Sequence, residues 1–207
     1  NQSTLTSPDS GNSSATYDAA GNLKSRTDAR GKTRYYTYDA LNRVTKISYS
    51  SGTPSIFEYD GGVGGAPNAK GRLTKMTYEG GNTTFAYDAL GRIISQAQTL
   101  GSASPLVTTY TYGISGSFNG KLTELTYPSG NQLVFSYDMM GQISNIWLKP
   151  TNSTGVGTSS TAINLLGGIK YTAVGEPTSW IWGNSTGAAP NVYARSYDLD
   201  GRMISYP

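Results

Sequence analysis

The 207-residue chain contains no His and no Cys, 26 Gly, 16 Tyr and 16 basic against 13 acidic side chains. Without imidazole or thiol there is no Ser-His-Asp triad, no disulfide and no thiolate zinc site, so no cofactor or metal is expected and the chain is read as non-enzymatic. A net charge of +3 without any run of Lys or Arg argues against a nucleic-acid stripe, and no segment approaches the ~18 apolar residues of a membrane-spanning helix.

Leu, Ile, Val and Phe together make up only about 17% of the chain, so the apolar area of a fold has to come from tyrosine, whose ring is large and whose hydroxyl needs a partner. Residues 1–16 are polar and read as an N-terminal extension. From Tyr17 onward the chain repeats. The dipeptide Tyr-Asp occurs at Tyr17-Asp18, Tyr38-Asp39, Tyr59-Asp60, Tyr87-Asp88, Tyr137-Asp138 and Tyr197-Asp198, with Tyr112-Gly113 as a degenerate copy and a weaker one around Tyr171 and Gly175. The array is therefore expected to cover 17–207, with Gly-, Ser- and Thr-rich insertions near 61–70, 151–162 and 183–191.

Good copies read Tyr-Asp-x-x-Gly-Arg-apolar, as in YDALGRI and YDLDGRM. The Asp side chain can accept backbone N–H groups, and Gly21, Gly71, Gly91, Gly141 and Gly201 can take the positive φ that closes a tight reversal. Asn42 replaces Gly in YDALNRV and is the next most tolerant residue. The segments VTKISY, LTKMTY and LTELTY follow, alternating at period two like half-buried strands. A turn and a return strand come next, with Tyr36, Phe57, Phe85, Tyr110 or Phe135 two residues before the next dipeptide tyrosine. A Gly80-Gly81 loop would set Met76 against Phe85. Leu73 and its equivalents fall out of phase, which predicts a bulge there. The fold class is all-β: seven to eight tandem antiparallel hairpins sharing edges in a curved, spiralling sheet. Open edges at either end predict self-association.

Arg43, Arg72, Arg92 and Arg202 share one repeat position and are expected to pair with turn aspartates; a ladder for an anionic partner is the competing reading. The Tyr/Phe ladder is read as packing between strands. Trp147, Trp180 and Trp182 are the best candidates for carbohydrate contact, against the commoner reading that they pack.

YDALGRI, YDALNRV and YDLDGRMISY resemble the YD repeats of Rhs-type proteins, and Gly168 to Asn184 resembles their variant late repeats. The resemblance covers nearly all of the chain after Tyr17. It implies a strip that winds into a hollow shell, as in bacterial Rhs toxins, insecticidal toxin complexes and teneurins. The implied role is a container for a C-terminal toxin domain, with the rest of the shell and that cargo as partners, in a bacterial protein exported to the surface or medium. The alternative is a carbohydrate-binding adhesion module. Full Rhs cores end in an autoproteolytic motif containing Asp-Pro; this chain has no Asp-Pro, so no catalytic residue is assigned. The lack of Cys favours a bacterial over a secreted animal protein.

Overall fold

The computed structural model describes residues 3–62, 65–151, 162–183 and 192–206. Of the insertions at 61–70, 151–162 and 183–191, residues 63–64, 152–161 and 184–191 lie outside the described residues. The chain divides into two compact units, Asn1–Leu106 and Val107–Pro207. No α-helix occurs among the described residues, and none of their helices is long and apolar enough to cross a membrane.

Unit one holds β1 (Thr4–Ser7), β2 (Gly11–Tyr17), β3 (Leu23–Thr27), β4 (Thr33–Tyr38), β5 (Val44–Tyr49), β6 (Ser55–Tyr59), β7 (Leu73–Tyr78), β8 (Gly81–Tyr87) and β9 (Ile93–Leu100). They lie side by side in chain order. In the second unit, β10 (Leu106–Tyr112), β11 (Leu122–Thr126), β12 (Gln132–Tyr137), β13 (Ile143–Lys149), β14 (Ile163–Tyr171), β15 (Pro177–Trp182) and β16 (Val192–Ala194) do the same, while β17 (Ser196–Tyr197) and β18 (Met203–Ser205) form a separate pair.

Two expectations need correction. The array begins before Tyr17: Thr4–Ser7 pairs antiparallel with Gly11–Tyr17. Small Ser and Thr side chains give this hairpin no apolar alternation, which is why the segment reads as an extension. The β7–β8 turn is made by Glu79 and Gly80, not Gly80 and Gly81, so Met76 opposes Thr83 rather than Phe85. Gly80 takes a φ of +84°, whereas a Cβ on Gly81 would stand 2.2 Å from the Thr99 carbonyl oxygen. One glycine serves the turn and the other a close backbone approach. The displacement is by two residues, so every side chain keeps its face.

There is hardly a core. Among the described residues only Ala69 and Trp180 are buried apolar side chains, and Thr74 and Thr83 are the buried polar ones. The face carrying the dipeptide tyrosines is half-buried, and in β2 the opposite face is open. What links neighbouring strands is then a matter of repeated polar contacts as much as apolar burial.

Candidate functional site

The repeat motif is a set of linked hydrogen bonds, and each of its letters has a task. In the turn after β2, the Gly21 N–H donates to the Asp18 carbonyl at 3.1 Å, and the Asp18 carboxylate accepts from the N–H groups of Ala20 and Asn22 at 2.9 and 2.8 Å. Asp39 and Asp88 repeat this arrangement. The left-handed residue is Gly21 (φ +85°), Asn42 (+59°) or Gly91 (+81°), as the turn requires. Asp60 keeps the closing bonds although ten residues, not two, separate it from Gly71: Gly71 N–H donates to its carboxylate at 2.5 Å, and Asp60 N–H to the Arg72 carbonyl at 3.0 Å. Asp138 accepts from Gln142, and Asp198 from Asp200 and Arg202.

Directly after each turn the register slips by one residue. Tyr17 opposes Leu23, Tyr38 opposes Val44, Tyr59 opposes Leu73, Tyr87 opposes Ile93, Tyr112 opposes Leu122, Tyr137 opposes Ile143, Tyr171 opposes Pro177 and Tyr197 opposes Met203. This is the bulge expected at Leu73, made in every copy. It turns the apolar residue onto the tyrosine face. The extra residue is often Thr, and its hydroxyl caps the neighbouring strand: Thr45 donates to the Thr37 carbonyl, Thr74 to Glu58 and Thr123 to Thr111, at 3.3, 3.0 and 3.1 Å.

The tyrosine hydroxyl ties each repeat to the one before it. Tyr38 donates to the Leu23 carbonyl at 2.8 Å, Tyr59 to Val44 at 3.0 Å, Tyr87 to Leu73 at 2.6 Å, Tyr137 to Leu122 at 2.6 Å, Tyr171 to Ile143 at 2.7 Å and Tyr197 to Pro177 at 3.0 Å. The acceptor is always the residue at the register slip, which lies beyond the end of the pairing with the strand that follows and so has a carbonyl to be satisfied by the hydroxyl. Burial pushes the hydroxyls of Tyr38, Tyr87, Tyr137 and Tyr171 above the ordinary tyrosine range, so they remain donors at neutral pH.

Arg43 bridges two turns: its Nε lies 2.7 Å from Asp39, its Nη2 lies 2.7 Å from Asp60, and its guanidinium sits 4.3 Å above the Tyr59 ring. The bonds from Asp60 and then Asp39 hold Arg43 further toward its charged form, and those from Arg43 hold both carboxyls below the usual carboxylate range. Arg92 binds Asp88 at 2.7 Å. Arg72 instead donates to the carbonyls of Asn68 and Lys70 and lies over the Tyr87 ring at 5.7 Å. Arg202 meets Asp200 rather than Asp198, at 3.3 Å and well exposed. The arginine position therefore stacks on a tyrosine of the next repeat, pairs with a turn carboxylate or, at Arg43, does both.

The degenerate copy has a steric cause. A Cβ at Gly113 would stand 2.2 Å from the Phe118 carbonyl oxygen, in a 3-10 turn over Gly116–Phe118, so Asp does not fit. The backbone still closes, Gly113 N–H donating to the Lys121 carbonyl at 2.9 Å. Lys121 takes the arginine place, 5.4 Å from the Tyr137 ring.

The three tryptophans separate. Trp147 opposes Val134 and Asn164, on the face away from its neighbour Ile146. Trp180 and Trp182 share the tyrosine face, where Ile143, Ile146, Leu166 and Tyr171 border a shallow apolar depression of about 420 Å³. Trp180 is 8% exposed, stacked on Tyr193 at 5.9 Å with the Arg195 guanidinium 4.8 Å from its ring. Its indole Nε1 is buried and has no partner among the described residues. Trp182 is 50% exposed and meets both other rings edge-on. Sequence reading missed Tyr193 and Arg195. Arg195 replaces the ladder aromatic of the last repeat, and that departure was the available signal. No group of three or more Asp or Glu side chains suited to a metal ion occurs among the described residues.

Tandem hairpins joined by bulges and a tyrosine-hydroxyl ladder define an all-β repeat protein of the Rhs kind. The chain belongs to the YD-shell family: the model described as Teneurin YD-shell matches residues 66–206, and the RHS Repeat model matches residues 17–54. Its fold is similar to solved structures of much larger proteins. A crystal structure of TcdB2-TccC3 without the hypervariable C-terminal region superposes with a TM-score of 0.77 at 18% identity over 98% of this chain. A structure of the Photorhabdus luminescens Tc holotoxin pore gives 0.79 at 18% over 100%. The chain spans about 10% of the length of each. No curated protein matches the chain by sequence.

Proposed function

We propose that this chain is a section of the wall of a YD-repeat shell that encloses a C-terminal toxin polypeptide in an exported bacterial protein, acting by enclosure and without chemistry of its own. The tyrosine-hydroxyl ladder carries this reading. It fastens repeat to repeat at fixed intervals without needing a core, which suits a thin wall of any length. Partners are then the adjoining repeats and the enclosed polypeptide. Similarity of fold to a Tc holotoxin structure supports the same role.

The test is limited proteolysis of the full-length parent. Its C-terminal segment should resist cleavage in the intact protein and be cut once separated. Equal cleavage rates in the two forms would sink the reading. A second reading, carbohydrate contact, rests on Trp182 alone, since both Trp147 and the packed Trp180 are poorly placed to share a platform with it. A glycan array in which binding is lost with Trp182→Ala would support it.

A further inference from the structure

On the tyrosine face of unit one, Arg26 of β3 and Arg34 of β4 are direct cross-strand partners, and Arg34 in turn opposes Tyr49 of β5. Both arginines are exposed, and neither makes an ion pair among the described residues. Like charges placed directly opposite each other destabilise a sheet. The acids of unit one are mostly engaged elsewhere: Asp28 with Arg30, Asp39 and Asp60 with Arg43, Asp88 with Arg92 and Glu58 with Lys75. Arg34 also borders a depression of about 440 Å³, together with Lys32, the ring of Tyr49, Ser55, Tyr78 and Glu79. Tyr49 bonds Ser55 at 3.0 Å, and Tyr78 bonds Thr83 at 3.3 Å, so the floor is held in place. Two acids border the depression as well: Asp28, already paired with Arg30, and Glu79 on the β7–β8 turn, which makes no ion pair among the described residues and whose charge would turn a second acid away from that end and toward Arg34.

We infer that Arg26 and Arg34 form an anion grip for the carboxylates of an acidic, extended peptide segment, laid along the tyrosine face with its chain over the Tyr49 depression. The occupant's identity as part of the enclosed polypeptide rests on the container reading; the grip itself does not. Two guanidinium groups on adjacent strands, about 5 Å apart in backbone spacing, can share one carboxylate or hold two successive ones, with each charge-assisted bond stronger than a neutral one. The charge balance selects an acid, and the flat strand-paired setting with an aromatic floor suits an extended chain.

The experiment is a titration of this chain with a blocked Gly-Glu-Glu-Gly-Glu-Glu peptide and with its Gln counterpart, at physiological ionic strength. The Glu peptide should bind saturably and the Gln peptide not. Arg26→Gln with Arg34→Gln should weaken binding about tenfold or more, the loss of one or two charge-assisted bonds. Lys46→Gln with Lys75→Gln, which removes the same charge from the opposite face, should leave it nearly unchanged. An equal loss in both double variants, or equal binding of the Gln peptide, overturns the grip. Preference for a sulfated oligosaccharide over the Glu peptide overturns the peptide assignment. Protease protection of the parent without peptide binding overturns the grip alone and leaves the container reading standing.

Discussion

The two units build the same ladder with different chemistry beside it. In unit one the turns are clamped by ion pairs, Arg43 with Asp39 and Asp60, and Arg92 with Asp88. In unit two the corresponding places hold Lys121 over a tyrosine ring, Gln142, Glu176, bonded to the Thr172 hydroxyl that stands where Asp would be, and Arg202, whose exposed pair is with Asp200 and not with the turn Asp198. Yet the tyrosine hydroxyl reaches the carbonyl at the register slip in both units, at 2.6 Å for Tyr87 and for Tyr137. Charge is the variable part of the motif; the bulge and the hydroxyl that satisfies it are the constant part. Unit two also concentrates aromatic packing around Trp180, where unit one has, among the described residues, only Ala69 as a buried apolar residue.

If that contrast is right, the largest single loss is expected in unit two. Trp180→Ala should destabilise it by about 3 kcal/mol, the low end for deleting a large buried aromatic. Trp182→Ala, half exposed, should cost a small part of that. Trp180→Phe keeps a ring beside Tyr193 and removes the unbonded indole N–H, so it should cost much less than the alanine. All three tryptophans lie in unit two, so denaturation followed by tryptophan emission reads that unit while far-ultraviolet circular dichroism reads both. Equal costs for Trp180→Ala and Trp182→Ala would erase the distinction between packed and presented rings.

Next in size, and decisive for the shared part, are Tyr87→Phe and Tyr137→Phe. Each removes one hydroxyl and leaves a part-buried carbonyl unpaired, at about 1 kcal/mol. The cost should be similar in the two units. A cost in one unit only would show that the ladder is not what they have in common.

Acid should separate them. Asp39 is held below its ordinary value of 3.8 first by the backbone N–H of Arg43, and Asp60 first by the Arg43 side chain. A carboxyl whose folded value is depressed contributes stability above the unfolded value that is lost as pH falls through the folded one. Unit one should therefore weaken below about pH 4 and continue to weaken beneath the ordinary carboxylate range. These pairs are 22–44% exposed, so screening keeps the effect modest, and salt should reduce it. The check is a circular-dichroism melt from pH 5 to about pH 2, repeated with Arg43→Met, which should flatten the loss.

How much of this was legible beforehand follows from how local each feature is. The Asp-x-x-Gly turn and the bulge at Leu73 depend on residues within one repeat, and the residue pattern carries them. The β7–β8 register depends on which of Gly80 and Gly81 faces Thr99, on β9, and sequence spacing is blind to that close approach. Recipients of the tyrosine hydroxyls lie 14 to 28 residues back, so composition showed that partners were needed but not which ones. Tyr193 and Arg195 join the tryptophans only through the β15–β16 pairing across an insertion. Arg26 and Arg34 become neighbours only once the β3–β4 register is known.

The smallest expected effect tests whether that last pair is kept for a purpose. Two like charges directly opposite each other cost a sheet a few tenths of a kcal/mol to about 1 kcal/mol, and salt screens the repulsion. Arg34→Thr puts a strand-favouring residue beside Tyr49 and leaves Arg26 unopposed, so the unliganded chain should become slightly more stable, with the gain shrinking as salt is added. An acidic peptide should reverse the order, stabilising the parent chain and not the variant, because a ligand that binds only the folded state raises its stability in proportion to its affinity. A variant that melts lower than its parent without ligand would mean that Arg34 serves the fold through its stem, and that the opposed charges are simply tolerated.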